Sequence, residues 1–429
     1  MEVGRLATLR IHALEPMLRG DDIAFIGKFD DNYDPDRFWT SYESLVRQNP
    51  GLQVTLKPIG ESFSWVPIDP AELNAALDRQ RQHFSQIFSL EELLSPAHAL
   101  TPPLPVRLSQ MGDRELCFQM SHALTNGRGV LQWIVYWLAA ANGESVPVGK
   151  TAGRFESTAP RTGLALLPFY ILAYLARAGR NYAHQTVDLT HGKVPIPHDN
   201  GYVSRTYRFS QQETDRVLAK AQALKFSLYQ YMCLAVAEAM LSAQPDKSRV
   251  CIAVPTDLTR YSPDFPRSVP GNYTGSLILQ LRRGTPLQAQ IAHQFGWLRV
   301  GMDYWLNRLV AAFARSERKF VSNFARAASL PIGRRGPFGN HSCLVTNLGD
   351  VMTPPDWGIE WGTGTTKSQT IFFGVGTFNG HFFATVTFPH DLYDPAEVFR
   401  VAESALARLV NKEALQELRE GRFFSSTSD

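Results

Sequence analysis

The stretch CFQMSHALTNGRG, residues 117–129, decides how this chain is read. ELCFQMSH (115–122) reads as a buried strand that ends at His122. RGVLQWIVYWLAAANG (128–143) reads as a strongly apolar helix closed by Gly143. Between them Asn126-Gly127 predicts a tight turn, because glycine tolerates positive φ and asparagine can hydrogen-bond the local backbone. A strand therefore fixes the backbone of His122, and a neutral imidazole titrating near pH 7 can take a proton from a hydroxyl, amine or thiol. His-x-x-x-Asn-Gly by itself also describes an ordinary hydrogen-bonded histidine at a strand end.

Outward from this stretch the pattern is mixed α and β. IAFIGKF (23–29) is a buried-strand run, and DPDRFWTSYESLVRQNP (34–50) starts a helix at Asp34-Pro35, with Phe38, Tyr42, Leu45 and Val46 on one face. LQVTLKPI (52–59) alternates like a half-buried strand, and PVRLSQM begins the strand before His122. Residues 184–200, with two prolines and little periodicity, read as a linker between halves at 1–190 and 191–429. The second half opens with the strand VSRTYRFS. A capping box, Ser210 to Glu213, then starts helices over about 211–224 and 228–242. Strands follow at 248–258, 341–347, 370–377 and 381–388, and a last helix runs from Pro395 to about Val410.

Composition narrows the function. A chain of 429 residues with 44% hydrophobic and 19% charged residues is globular and long enough for two cores. A formal charge of +3 gives no support to nucleic-acid binding. Cys117, Cys233, Cys251 and Cys343 are far apart and lack CxxC spacing, so buried reduced thiols are expected and no metal is. The N-terminus does not read as a secretion signal, and the expected compartment is the cytoplasm. GESVPVGKT (143–151) fails as a phosphate-binding loop on spacing, no GxSxG elbow occurs, and Trp133 and Trp137 read as core. GLALLPFYILAYLA (163–176), between Arg161 and Arg177, is too short to span a bilayer. Residues 299–335 carry eight Arg/Lys interleaved with aromatic and aliphatic residues. Both stretches fit either an internal packing role or peripheral contact with a membrane, an acidic carrier protein or coenzyme phosphates.

Ser121-His122-Ala123-Leu124-Thr125-Asn126-Gly127 resembles the HHxxxDG motif of the superfamily of chloramphenicol acetyltransferase, nonribosomal-peptide condensation domains, BAHD acyltransferases and wax-ester synthases. Other pieces resemble it in the expected order over nearly the whole chain: LVRQNPGLQVTL (45–56), AVPTDLTR (253–260), VPGNYTGSLILQL (269–281), CLVTNLGDV (343–351) and TFNGHFFATVTFPHDLYDPAEVFRV (377–401). The resemblance implies an α/β fold of two similar subdomains in a V-shaped pseudo-dimer around a tunnel.

It further implies an acyltransferase in which His122 is the general base. An acceptor hydroxyl or amine, small or lipid-like, would attack a thioester on coenzyme A or on a carrier-protein phosphopantetheine. That thioester is a co-substrate, and no permanently bound cofactor is implied. Thr346, Asn347 and Asn272 are the oxyanion or tunnel candidates. Asn126, Gly127 and Arg260 are the structural residues, with Arg260 expected to pair with Asn126. Two departures stand out. Ser121 replaces the first histidine, and Asn126 replaces the aspartate, which gives up a charge. The alternatives are a binding protein that has lost transfer, or a stand-alone condensation, cyclisation or epimerisation enzyme acting on carrier-bound substrates.

Overall fold

The structure, a computed structural model, describes residues 22–59, 62–95, 98, 100, 104–146, 157–178, 182–193, 201–262, 273–313 and 341–410. Its N-terminal part runs β1 (Asp22–Phe29), α1 (Pro35–Gln48), β2 (Val54–Ile59), β3 (Ser62–Pro67), α2 (Pro70–Phe84), α3 (Leu90–Leu94), β4 (Val106–Gly112), β5 (Glu115–Ser121) and α4 (Gly127–Ala141). Helices α5 (Arg161–Ala178) and α6 (Tyr182–Gln185) follow. The remainder is β6 (Tyr202–Arg208), α7 (Gln211–Ala223), α8 (Leu228–Ala243), β7 (Arg249–Asp257), β8 (Thr274–Arg282), α9 (Leu287–Gly296), α10 (Met302–Phe313), β9 (Cys343–Val351), β10 (Ile359–Thr366), β11 (Ile371–Phe378), β12 (His381–Pro389) and α11 (Pro395–Leu409).

The helix starts follow local chemistry. Asp34 caps α1 through the Asp36 N–H with Pro35 in the first turn, and the Ser210–Glu213 capping box opens α7. Strand β1 is buried along almost its whole length, as its unbroken apolar run requires when both faces are covered.

Two sheets organise the chain, ordered β10-β1-β5-β4 and β6-β12-β11-β9-β7-β8, with β2-β3 as a separate hairpin. Each sheet has its own core. The first is built on Phe38, Tyr42, Phe118, Trp133 and Trp137, and the second on α8, α11 and the strands they cover. Trp133 and Trp137 are 2% and 1% exposed, as their place on an apolar helix predicts. All four cysteines are free and buried. Among the described residues no helix is long and apolar enough to cross a membrane, and no cluster of His, Cys, Asp and Glu could hold a metal ion.

Two elements cross the expected boundary at residue 190. Leu167, Tyr170 and Tyr174 of α5, with Val187 and Leu189 from the stretch read as a linker, pack in the second core. Strand β10, from the C-terminal part, pairs antiparallel with β1 from Ile23↔Thr366 to Phe29↔Ile359 and so completes the first sheet. The crossing begins in β9. Against β11 its register skips Leu348, a one-residue bulge. Val345 before it belongs to the second core, whereas Leu348 and Val351 belong to the first.

Strand β10 fits only because of its small residues. A Cβ at Gly362 would meet the ring of Phe25 and lie 2.8 Å from Cε2 of Phe378. The hydroxyls of Thr363 and Thr365 bond those of Thr385 and Thr387 on β12, and these in turn bond Thr206 and Ser204 on β6. This buried hydroxyl ladder ties the two sheets together without leaving unsatisfied polar groups. Gly362→Ala is expected to destabilise the fold by about 1–3 kcal/mol, because two aromatic rings must give way. A fall in the urea unfolding midpoint at unchanged slope would measure it.

Candidate active site

His122 leaves β5 at the strand end, where β5 is held by β1 on one side and β4 on the other. Its ring Nδ1 lies 3.1 Å from the Thr125 carbonyl oxygen. A carbonyl only accepts, so Nδ1 carries the proton and the lone pair resides on Nε2. Burial holds the imidazolium below the ordinary histidine value of 6.5. A hydrogen bond to its own backbone, the bond to Thr125 and the nearby Asp22 charge pull the other way. Asp22 itself sits in a buried ion pair with Lys367, 3.0 Å apart, at the junction of β1 and β10. The ring is therefore neutral at pH 7 and of a fixed tautomer.

Asn126 caps α4: its Oδ1 accepts from the Gly129 N–H at 2.9 Å. Its Nδ2 donates to Asp257 Oδ1 at 3.2 Å, across the two subdomains. The expected pairing of Asn126 with Arg260 is not formed. Arg260 Nη2 instead donates to Asp303 at 2.7 Å and to the Tyr261 hydroxyl at 2.7 Å. Asp303, fully buried, also accepts from Tyr261 and Thr256. The physical reason is charge. An amide offers a guanidinium only a neutral acceptor, whereas Asp303 offers it a carboxylate. The Asn126 amide in turn donates to Asp257, which Thr259 holds by its N–H and hydroxyl.

These residues meet at a cavity of ≈ 290 Å³ between the subdomains, walled by Asn126–Arg128 of α4, Pro255–Asp257 and Arg260 around the end of β7, Thr346–Leu348 of β9, and Tyr229, Thr274 and Leu298. The bulge at Leu348 is what turns this piece of β9 toward α4, and Leu348 Cδ2 would lie 3.4 Å from a Cβ at Gly127. Asn347 Oδ1 accepts from the Gly349 N–H at 2.8 Å. A backbone N–H needs an acceptor, so the amide nitrogen of Asn347 is the end turned away from it. Neither that nitrogen nor the Thr346 hydroxyl bonds another described residue. Both are donors at the cavity wall.

The structure thus brings Asn126, Gly127, Arg260, Thr346 and Asn347 together. His122 is not part of this wall; it stands four residues before Asn126, at the other end of the same turn. Asn272 lies outside the described residues. Arg128, Tyr229 and Asp257 were not singled out from the sequence. Arg128 adjoins Gly127, and Asp257 precedes Arg260 by three, so the motifs flagged both places but not the roles. Gly349 has φ +97, a backbone conformation that favours glycine, and the Arg128 guanidinium lies over it.

Comparison with known proteins agrees with this architecture. No protein-family profile matches the sequence, and no curated protein matches it either. Solved structures do. The trichothecene 15-O-acetyltransferase TRI3 of Fusarium sporotrichioides superposes with a TM-score of 0.65 at 10% identity over 94% of both chains. Polyketide synthase associated protein 5 of Mycobacterium tuberculosis gives 0.59 at 12% identity over 94% of this chain and 98% of that one. The epimerization domain of the third module of tyrocidine synthetase B gives 0.54 at 11% identity over 95% and 93%. This chain has the condensation-domain fold. The fold so identified is the chloramphenicol acetyltransferase-like pair of subdomains that the motif around His122 implies.

The Asn126–Asp257 contact makes a sharp prediction. Asn126→Asp keeps a good helix cap but sets two carboxylates against each other. It should cost about 1–2 kcal/mol at neutral pH. The deficit should narrow on acidification, as one carboxylate protonates. N126D/D257N should recover most of it, read as a double-mutant cycle in denaturant unfolding.

Proposed function

We propose that the protein is an acyltransferase that moves an acyl group from a coenzyme A or carrier-protein thioester to a hydroxyl or amine, with His122 as general base. The observation that supports this most is the state of the imidazole. Nδ1 meets the Thr125 carbonyl, which places the proton on Nδ1 and the lone pair on Nε2, and burial favours the neutral ring. In the proposed step Nε2 takes the acceptor proton while the acceptor oxygen or nitrogen forms a bond to the thioester carbon. The negative charge that builds on the carbonyl oxygen meets donors from Asn347 Nδ2 and the Thr346 hydroxyl. Collapse breaks the carbon–sulfur bond, and the imidazolium returns its proton to the thiolate. The products are the acylated acceptor and a free thiol.

Chains of this fold include an acetyltransferase and a condensation domain that mediates chain release from the enacyloxin polyketide synthase. Both thioester sources therefore stay in the proposal. The cavity wall carries Arg128, Arg260, Asp257 and Asn126 beside Leu298, Leu348 and Pro255, so groups for a polar reaction centre and apolar surface for an acyl group both line it.

A second reading, a binding protein that keeps the fold without transfer, is favoured by one observation: the wall of the ≈ 290 Å³ cavity does not include His122. Turnover separates the two. With a panel of coenzyme A thioesters and carrier-loaded thioesters, His122→Ala should lower kcat/KM by about 10²–10⁴-fold. Binding of a thioester without turnover by the parent protein would favour the second reading. The pH profile gives an independent check. A base must be neutral to act, so kcat/KM should be flat above pH 7 and fall on the acid side with a midpoint below 6.5. His122→Ala should remove that limb from the residual rate.

A further inference from the structure

Helix α5 is apolar on every side, yet only half of it is covered. Its inner face packs on α10, on β8 and on the turn 297–300 between α9 and α10. A Cβ at Gly163 would lie 2.7 Å from the Trp305 ring, Tyr170 meets Trp297 edge to face at 5.3 Å, and Leu167, Tyr170 and Tyr174 are buried. The outer face carries Leu164, Phe169, Leu172 and Leu175, which are 50%, 66%, 64% and 43% exposed. Residues 164, 168, 172 and 175 repeat at helical spacing, with Phe169 beside them, so this is one continuous stripe rather than scattered exposure. It holds four of the seven most exposed large hydrophobics among the described residues.

Among the described residues of α5 and of the segment it packs on, the exposed Asp, Glu, Lys and Arg side chains have one sign. Helix α5 contains Arg161 and Arg177 and no Asp or Glu. The segment 287–309 it packs on contains Arg299 and Arg308, both exposed, and a single acid, Asp303, which is buried against Arg260. Two α5 helices laid side by side, parallel or antiparallel, would bring arginine against arginine. An apolar stripe on a helix whose own charges, and whose exposed charges on the described segment 287–309, are all arginines matches acyl chains beneath anionic headgroups.

We propose that the outer face of α5 is a membrane-contact surface that seats the protein on an anionic bilayer, with Phe169 and Leu172 entering the interface and the arginines meeting lipid phosphates. The proposal is independent of the transfer chemistry, although α5 abuts the turn whose Leu298 lines the cavity. The test is co-sedimentation of the full chain with phosphatidylcholine vesicles and with vesicles containing phosphatidylglycerol. The parent protein should bind the anionic vesicles, bind the neutral ones much less, and release in high salt. F169E/L172E should keep its thermal midpoint, since both side chains are exposed. It should lose binding on the order of a hundredfold, from two buried apolar side chains. Three results would overturn the proposal: no binding to either vesicle, binding that F169E/L172E leaves unchanged, or a dimer in analytical ultracentrifugation that F169E/L172E dissolves. The last would make the stripe an interface between copies.

Discussion

Strand β9 begins in one sheet and, past its bulge at Leu348, delivers side chains to the other core; β10 then pairs with β1 along its whole length. This crossing joins what would otherwise be two separate cores. Two conditions permit it. Glycine at 362 lets the strand lie against the rings of Phe25 and Phe378, and threonines 363 and 365 let a buried sheet-to-sheet seam be hydrogen-bonded rather than greasy. The cavity exists because of the same geometry. The bulge brings Thr346, Asn347 and Leu348 against the start of α4, so the wall is built from residues more than two hundred positions apart.

The site rests on two polar arrangements with different jobs. The contact of His122 Nδ1 with the Thr125 carbonyl favours the tautomer protonated at Nδ1. The Asn126–Asp257 bond has the carboxylate on the second subdomain instead of in the motif, while Arg260 turns to the buried Asp303. Against the aspartate that the motif resemblance implies, asparagine at 126 is thus not a simple loss of charge. The negative charge of the pair is kept on Asp257, and the amide is the donor that lets it sit beside the cap of α4.

The likeness to TRI3 at 10% identity, together with the lack of any sequence-level match, says how the fold is encoded. What these chains share is a fold, and many side chains satisfy the packing demands of one fold equally well.

The local elements were legible in the sequence. Asp34-Pro35 and Ser210-Glu213 announce helix starts through interactions within three residues, and the buried runs of β1, β5 and β7 announce strands by composition alone. Asn126-Gly127, read as a tight turn needing positive φ, is instead the cap and first residue of α4, with Gly127 outside the positive-φ region, because the Asn126 side chain caps the helix directly. His122 was legible from its neighbours, since a strand, a histidine and a turn are contiguous. Strand β10 was not: IEWGTGTT lacks an apolar run or alternation, because its glycines and threonines answer to Phe25, Phe378 and β12 rather than to their own neighbours. Nor was the choice of Asp257 and Asp303 as partners, or the open face of α5, whose sequence is equally apolar on the side that is buried and the side that is not. The chain's own order determined the helices, most of the strands and the turn that presents His122, because those depend on contacts a few residues long. Which charges pair, which strand closes which sheet and which apolar face stays uncovered were decided only by tertiary packing, because each depends on residues that the sequence holds far apart.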